Sequence, residues 1–353
     1  MKKALLLTAI FGGLCFAEEI KLKADPLGTL KLSGALTVYG TYTNNKILPD
    51  EKKTSYDVGS ALLKIEKPAE PFGFTLIGGA YAVPVLGLPF ANTSTTTDPF
   101  SALPVAYGEY TLMKDVSIQA GKLPTIIGYE SAFTYQNNYI QRGLVWNMQP
   151  VVHHGVRLNY NLKPIVVKLG INDGFYTLST TSAKPAIEGS VSYKLSDDNA
   201  FSFNFILPSK SSKPNVTASP TNKRELNLLA TYKVDKTSIG VDLMYVEAPK
   251  DDEAGVIAKA KASGAALHLS YELDSYKISG RVEYVKDDED DGGSDLVGLG
   301  DGNKGWTLTV TPSYKKGILF ARGEISFVNA NDPFTAKDKK SQMKAGVEVG
   351  FLF

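Results

Sequence analysis

From Thr29 onward the chain alternates apolar and polar positions with a period of two, which marks strands with one apolar and one polar face. Leu30, Leu32, Leu36, Val38 and Tyr42 fall on one face, and Lys31, Ser33, Thr37 and Thr41 on the other. The pattern returns at Val156, Leu158, Tyr160 and Leu162 against Arg157, Asn159 and Asn161, and at Phe201, Phe203 and Phe205 against Ser202 and Asn204. It closes the chain at Met343, Val347, Val349, Phe351 and Phe353. About sixteen such segments can be counted, with 54–66 and 105–113 the least regular. The apolar stretch 72–91 is long enough for a spanning helix, but Gly73, Gly78, Gly79, Gly87, Pro84 and Pro89 each penalise a helix interior. It reads as a strand entering a loop.

The connections alternate in length along the whole chain. Short ones fall at 67–71, 113–115, 163–164, 196–199, 235–236, 274–275 and 315–317, rich in Pro, Asp, Asn, Ser and Gly. Long ones cover about 44–53, 86–103, 124–153, 173–185, 208–222, 248–262, 287–304 and 329–341. A soluble sandwich has no reason to sort its connections by length onto opposite ends. A membrane barrel has one: in lipid, sheets span only when closed, with short periplasmic turns and long extracellular loops. The expectation is an all-β, transmembrane antiparallel barrel of about 16 strands (range 14–18), wide enough to enclose an aqueous channel.

The polar face supports that expectation. Lys31, Lys122, Arg157, Lys168, Lys194, Lys233, Lys277, Arg281, Arg322 and Lys344 are expected inside, with Glu109, Glu188, Glu225, Asp242, Glu272, Glu283, Glu324 and Glu348. A dry core does not tolerate so many charges without partners, whereas a water-filled lumen solvates them. Charges on the water face of a soluble sheet are the competing reading. Ten bases against eight acids form no ladder of one sign, so weak selectivity is expected.

Net charge is +1, so no basic surface points to a nucleic-acid partner. One Cys and three His leave no set at structural-zinc spacing, and no cofactor is called for. Met1, Lys2 and Lys3 precede an apolar stretch ending in Cys15, Phe16 and Ala17, the build of a secretory signal peptide cut after Ala17. Residues 18–353 then form a single domain.

The last residues, from Gly346 to Phe353, alternate and end on an aromatic, which resembles the C-terminal signal that barrel-assembly machinery reads in bacterial outer-membrane proteins. A second resemblance lies between 121 and 174. Its carriers are Gly121, Lys122 and Leu123; Ile127, Gly128, Tyr129 and Glu130; Arg142, Gly143 and Leu144; His154, Gly155, Val156 and Arg157; and Gly170 to Gly174. In order and spacing these resemble the beta-barrel porin-2 (OmpL-like) family, which implies an outer-membrane porin of Gram-negative-type bacteria. The partners expected are outer-membrane lipid, the assembly machinery acting on Phe353, and small hydrophilic solutes. Whether barrels form a homotrimer stays open.

The segment 124–153 joins the fifth and sixth strands and is the third long loop, the one that in general porins folds into the lumen. It is aromatic-rich and carries little charge, which disfavours disorder. A constriction inside the barrel and a cap outside it both fit. Glu130 and Arg142 could set a transverse field there, or Arg142 could pair with a wall carboxylate and anchor the loop. The pore-lining candidates are therefore Lys122, Glu130, Arg142, Arg157, Lys168, Glu188, Asp242, Arg281, Glu283, Arg322 and Glu324. Asp287, Asp288, Asp290 and Asp291 could hold a hard cation, but a solvated loop is the simpler reading. Catalysis would need a nucleophile, a base and an orienter, and His153, His154 and His268 offer no such set, so no enzyme is expected. A closed barrel acting as adhesin or scaffold is the alternative to a channel.

Overall fold

The computed structural model describes residues 20–94, 100–175, 184–210, 221–254, 256–289 and 293–353. The expected signal peptide, 1–17, lies outside them. The strands are β1 (Ile20–Ala24), β2 (Gly28–Thr43), β3 (Thr54–Lys67), β4 (Phe72–Tyr81), β5 (Val105–Met113), β6 (Val116–Pro124), β7 (Val152–Leu162), β8 (Ile165–Asn172) and β9 (Ala186–Lys194). They continue as β10 (Ala200–Pro208), β11 (Arg224–Val234), β12 (Thr237–Ala248), β13 (Ala260–Leu273), β14 (Tyr276–Glu289), β15 (Lys304–Lys316), β16 (Leu319–Ala330) and β17 (Ser341–Leu352). From β2 to β17 every strand pairs antiparallel with its sequence neighbour, and β17 returns to β2.

The closure explains why seventeen strands make a 16-strand barrel. β17 flanks β2 from Thr43 to Ala35, and β1, which the sequence reading did not separate, flanks the same edge from Leu32 to Gly28. The two share one position end to end. Phe353 sits at the junction: Gly34 N–H donates to its carbonyl at 2.7 Å, and its own N–H donates to Gly34 O at 3.1 Å.

Tight turns close one end. Asp115, Asp235 and Asp274 occupy them at φ of 65°, 51° and 52°, a left-handed conformation that Asp tolerates through local hydrogen bonds. Just above these turns, outward-facing Tyr110, Tyr160, Tyr193, Tyr232, Tyr271 and Tyr276 form an aromatic girdle of the kind that sits at a membrane interface. Side-chain parity follows the pleat: Leu158 and Leu243 are 40% and 43% exposed, while Arg157 and Asp242 beside them are 3% and 2% exposed. The stretch 72–91 is β4 followed by an irregular segment, without a helix.

The interior is not an empty tube. At the long-loop end the segments 82–94, 125–151 and 293–303 meet inside, where Leu86, Leu144, Val145, Met148, Val297 and Leu299 pack against inward Ala262, Ala266 and Val285. Leu86 N–H donates to Arg142 O at 3.0 Å and Arg142 N–H to Pro84 O at 2.9 Å, lacing two of these segments in parallel.

Candidate functional site: the inserted segment and the lumen wall

The segment 125–151 leaves β6 and returns to β7 through a neck closed by Thr125 N–H donating to Val151 O at 2.9 Å. Between these points it turns inward and lies on the wall formed by β12 to β17. Two short 3-10 turns, Thr134–Gln136 and Val145–Met148, keep it compact, but most of its backbone groups find no partner within the segment. Buried amides without partners are costly, and the wall supplies acceptors. Glu324 takes the amides of Ile140 and Gln141 at 2.6 and 3.1 Å; Glu283 takes Val145 at 3.1 Å; Asp242 takes Tyr129 at 2.9 Å. Wall arginines serve the carbonyls. Arg322 donates to Asn137 O at 2.7 Å and Thr134 O at 2.9 Å, and Arg281 to Gln141 O at 3.0 Å.

These wall charges are also paired with one another. Arg281 joins Glu130 to Glu283, and its guanidinium lies 4.6 Å from the ring of Tyr139. Arg322 Nε meets Glu348 at 2.8 Å, and Arg157 Nε meets Glu188 at 2.6 Å. Arg157 further donates to Pro124 O at 2.9 Å, tying the start of the segment to the opposite wall.

Steric room for the segment comes from small inward residues. Gly264 is one: a Cβ there would lie 2.3 Å from Met148 Cε and 3.0 Å from Val145 Cγ2. Its inward neighbours on β13 are Ala260, Ala262 and Ala266, which leave a groove for the segment.

A family model described as beta-barrel porin-2, OmpL-like matches residues 29–353. The chain belongs to this family. No curated protein matches it in sequence. Solved structures share the fold of this porin at low identity. OmpT of Vibrio cholerae, expressed in the outer membrane, aligns at 13% identity over 95% of this chain and 100% of its own, TM-score 0.63. The outer membrane channel DcaP of Acinetobacter baumannii aligns at 14% over 94% and 99%, TM-score 0.62. An anion-selective porin from Comamonas acidovorans aligns at 12% over 92% and 99%, TM-score 0.60. The porin is thus a β-barrel of the cell outer membrane.

One expected pore residue lies elsewhere than the alternation suggested. Lys122 does not face the lumen: it pairs with His154 and shares its side of the sheet with Ala120 and Val156, which is 46% exposed on the outer face. Its ammonium reaches Phe100 O at 2.7 Å at the loop end of the barrel. There a long cation can reach a carbonyl from the lipid-facing side, so charge alone did not reveal its face.

Glu130 and Arg142 are 5% and 1% exposed, so neither presents an open charge to a solute. Among the described residues, Arg142 pairs with no wall carboxylate within hydrogen-bond reach. It donates to Thr134 Oγ1 at 2.8 Å and Ser131 O at 3.2 Å, cross-bracing the segment itself. Burial lowers its guanidinium to about 10, still charged at neutral pH. Glu130 accepts Gly143 N–H at 2.7 Å, and burial pushes its carboxyl up to about 7, opposed by Arg281 and reinforced by Glu283.

Lys168 faces inward between Asn159 and Ser190 and is half-buried. Lys64, Glu66 and Lys315 share the inward face although the sequence reading left them out. The acidic loop is also put to structural use. Asp287, 2% exposed, accepts Leu296 N–H at 3.0 Å, and Asp295 accepts Val297, Gly298 and Gly300 N–H at 3.0, 2.7 and 2.8 Å. Asp288 is exposed beside Lys286 at 3.2 Å; Asp290 and Asp291 lie outside the described residues.

Proposed function

We propose that this porin forms a water-filled passage for passive diffusion of small hydrophilic solutes and ions, narrowed by the segment 125–151, and that it performs no catalysis. One observation carries the reading. The segment occupies the wall from β12 to β17, while inward Tyr107, Gln119, Asn159, Lys168 and Ser192 on β5 to β9 keep partial water access. The three histidines support the non-enzymatic part. His153 Nδ1 is 2.8 Å from Gly174 O, His154 Nδ1 is 2.8 Å from Asp173, and His268 stacks on Tyr129 at 4.0 Å. None of these contacts is a nucleophile with a general base.

Selectivity among solutes is low in this reading, because no ladder of one sign crosses the path. The apolar cluster joining segments 82–94, 125–151 and 293–303 at the mouth favours a second reading, a closed barrel serving as scaffold or adhesin. Planar-bilayer recording separates the two. The open reading expects conductance steps, and larger steps after removal of residues 131–147. A folded protein without steps supports the closed barrel, and a folded deletion without gain moves the constriction elsewhere. OmpT of Vibrio cholerae has also been solved in a trimer form. We extend that assembly to this porin, with chemical cross-linking in outer-membrane vesicles as its check.

A further inference from the structure

We infer that the inserted segment is a pH-operated gate: while one proton is held beneath it the segment stays on the wall and narrows the passage, and loss of that proton releases its middle. The inference rests on the channel reading above.

Two carboxylates meet one guanidinium under the segment. Glu130 of the segment pairs with Arg281 of β14, and Arg281 Nε lies 3.1 Å from Glu283 Oε2 on the same strand. Both acids also close on Gly143. Its N–H donates to Glu130 at 2.7 Å, and a Cβ there would run into the Glu283 carboxylate, so only a glycine lets the two acids approach from both sides.

The charges facing this pair do not balance. Asp242 reaches in from β12, His268 from β13 and Glu324 from β16; Tyr129, Tyr139 and Arg142 belong to the segment, and Thr307 and Thr309 of β15 are neutral. Four carboxylates, Glu130, Asp242, Glu283 and Glu324, thus face two guanidiniums, Arg142 and Arg281, each at 5% exposure or less. Farther along the wall Arg322 pairs with Glu348, Lys344 donates to Leu88 O at 2.6 Å, and Glu225 and Lys223 beyond Asp242 add one charge of each sign. Even with Lys344 set against Glu324, one carboxylate lacks a cation. Burying such a charge is costly, and a proton removes it. His268 stacks on Tyr129 at 4.0 Å and lies opposite Arg281 in the ladder, where a second cation would face the first. The proton therefore belongs on a carboxylate.

Glu130 is the acid that travels with the segment. Burial holds its carboxyl up at about 7 while docked, with Arg281 opposing that rise. Released into water, the same group titrates near 4.3. The docked state thus keeps a proton that the released state has lost, and rising pH favours release. The neck is fastened apart from this site, by Thr125 N–H on Val151 O and Arg157 on Pro124 O, so the ends stay fixed while the middle leaves the wall.

Bilayer recording of the wild-type protein from pH 5 to pH 8 tests this, with the deletion of residues 131–147 marking the step size of the released state. The ratio of time in larger steps to time in smaller ones should rise up to about tenfold per pH unit between pH 5 and pH 7 and level off above. Glu130→Gln, which has no proton to lose, should keep the smaller step throughout. Trp146 gives a second readout. With Trp306→Phe it is the one Trp left in the chain, and its emission should move to longer wavelength as pH rises. Steps and emission that ignore pH, or a pH response that Glu130→Gln retains in full, would overturn the inference while leaving the channel reading intact. Absence of any step at every pH would overturn both.

Discussion

The carboxylate of Glu324 on β16 receives the backbone amide of Ile140 at 2.6 Å, across 184 positions of sequence. It takes Gln141 N–H as well, so one side chain fixes the middle of the inserted segment to the wall. Glu324→Ala would leave two buried amides without acceptors, at about 1–3 kcal/mol each if the segment stayed in place. That cost is enough to release the segment into the lumen or out of it. Single-channel recording of the folded variant should show larger or noisier steps than wild type. Steps identical in size and noise would mean that Glu324 is dispensable for docking.

Gly264 carries a steric version of the same prediction. Gly264→Leu would drive a side chain into Met148 and Val145, and overpacking of this kind costs about 1–3 kcal/mol. Met148 is flexible, so Gly264→Ala should be tolerated by a small shift of its terminal methyl. Limited chymotrypsin digestion of the refolded barrels reads the outcome, because Phe133, Tyr135 and Tyr139 are buried when the segment is docked. Fast cleavage between 131 and 147 is expected in Gly264→Leu only.

How far these relationships could be read beforehand depends on their range. The strands and their faces were legible because alternation is local: Leu158 and Arg157 declare their sides as neighbours. The destination of the charges was not. Glu324 reads as one more lumen acid until the fold brings Ile140 to it, and Asp287 reads as solvated until Leu296 folds back onto it. The run of small inward residues at Ala260, Ala262, Gly264 and Ala266 was a visible signal, since a lumen wall filled only with water has no need of a groove. β1 escaped notice because it completes a position that β17 only partly fills.

The membrane face yields a third prediction. Leu158→Arg places a charge toward lipid near mid-strand and should cost about 2–4 kcal/mol, whereas Asn159→Arg on the lumen face should cost far less. Arg157→Ser, although also inside, belongs with the costly changes. It strips Glu188, 1% exposed, of the guanidinium that neutralises it, and breaking a buried pair costs about 3–5 kcal/mol. Urea titration of folding into liposomes should rank Asn159→Arg closest to wild type. Equal destabilisation by Leu158→Arg and Asn159→Arg would contradict the face assignment.

Glu130 gives the last prediction, on pH. Burial raises its carboxyl to about 7 in the folded chain, with Arg281 opposing that rise and Glu283 adding to it. In the unfolded chain the same group titrates at its ordinary value near 4.3. Between those two values the folded protein holds a proton that the unfolded chain has lost. By linkage, the contribution of Glu130 is fully present below about pH 4 and falls away as pH rises toward 7. Glu130→Gln keeps an acceptor for Gly143 N–H and mimics the protonated acid, so it should remove this part of the pH dependence while weakening the contact to Arg281. Thermal unfolding of detergent-folded barrels between pH 5 and pH 7.5 is the measurement. Wild type should lose stability across that range by more than Glu130→Gln does; parallel curves for the two proteins would show that Arg281 keeps Glu130 ionised throughout.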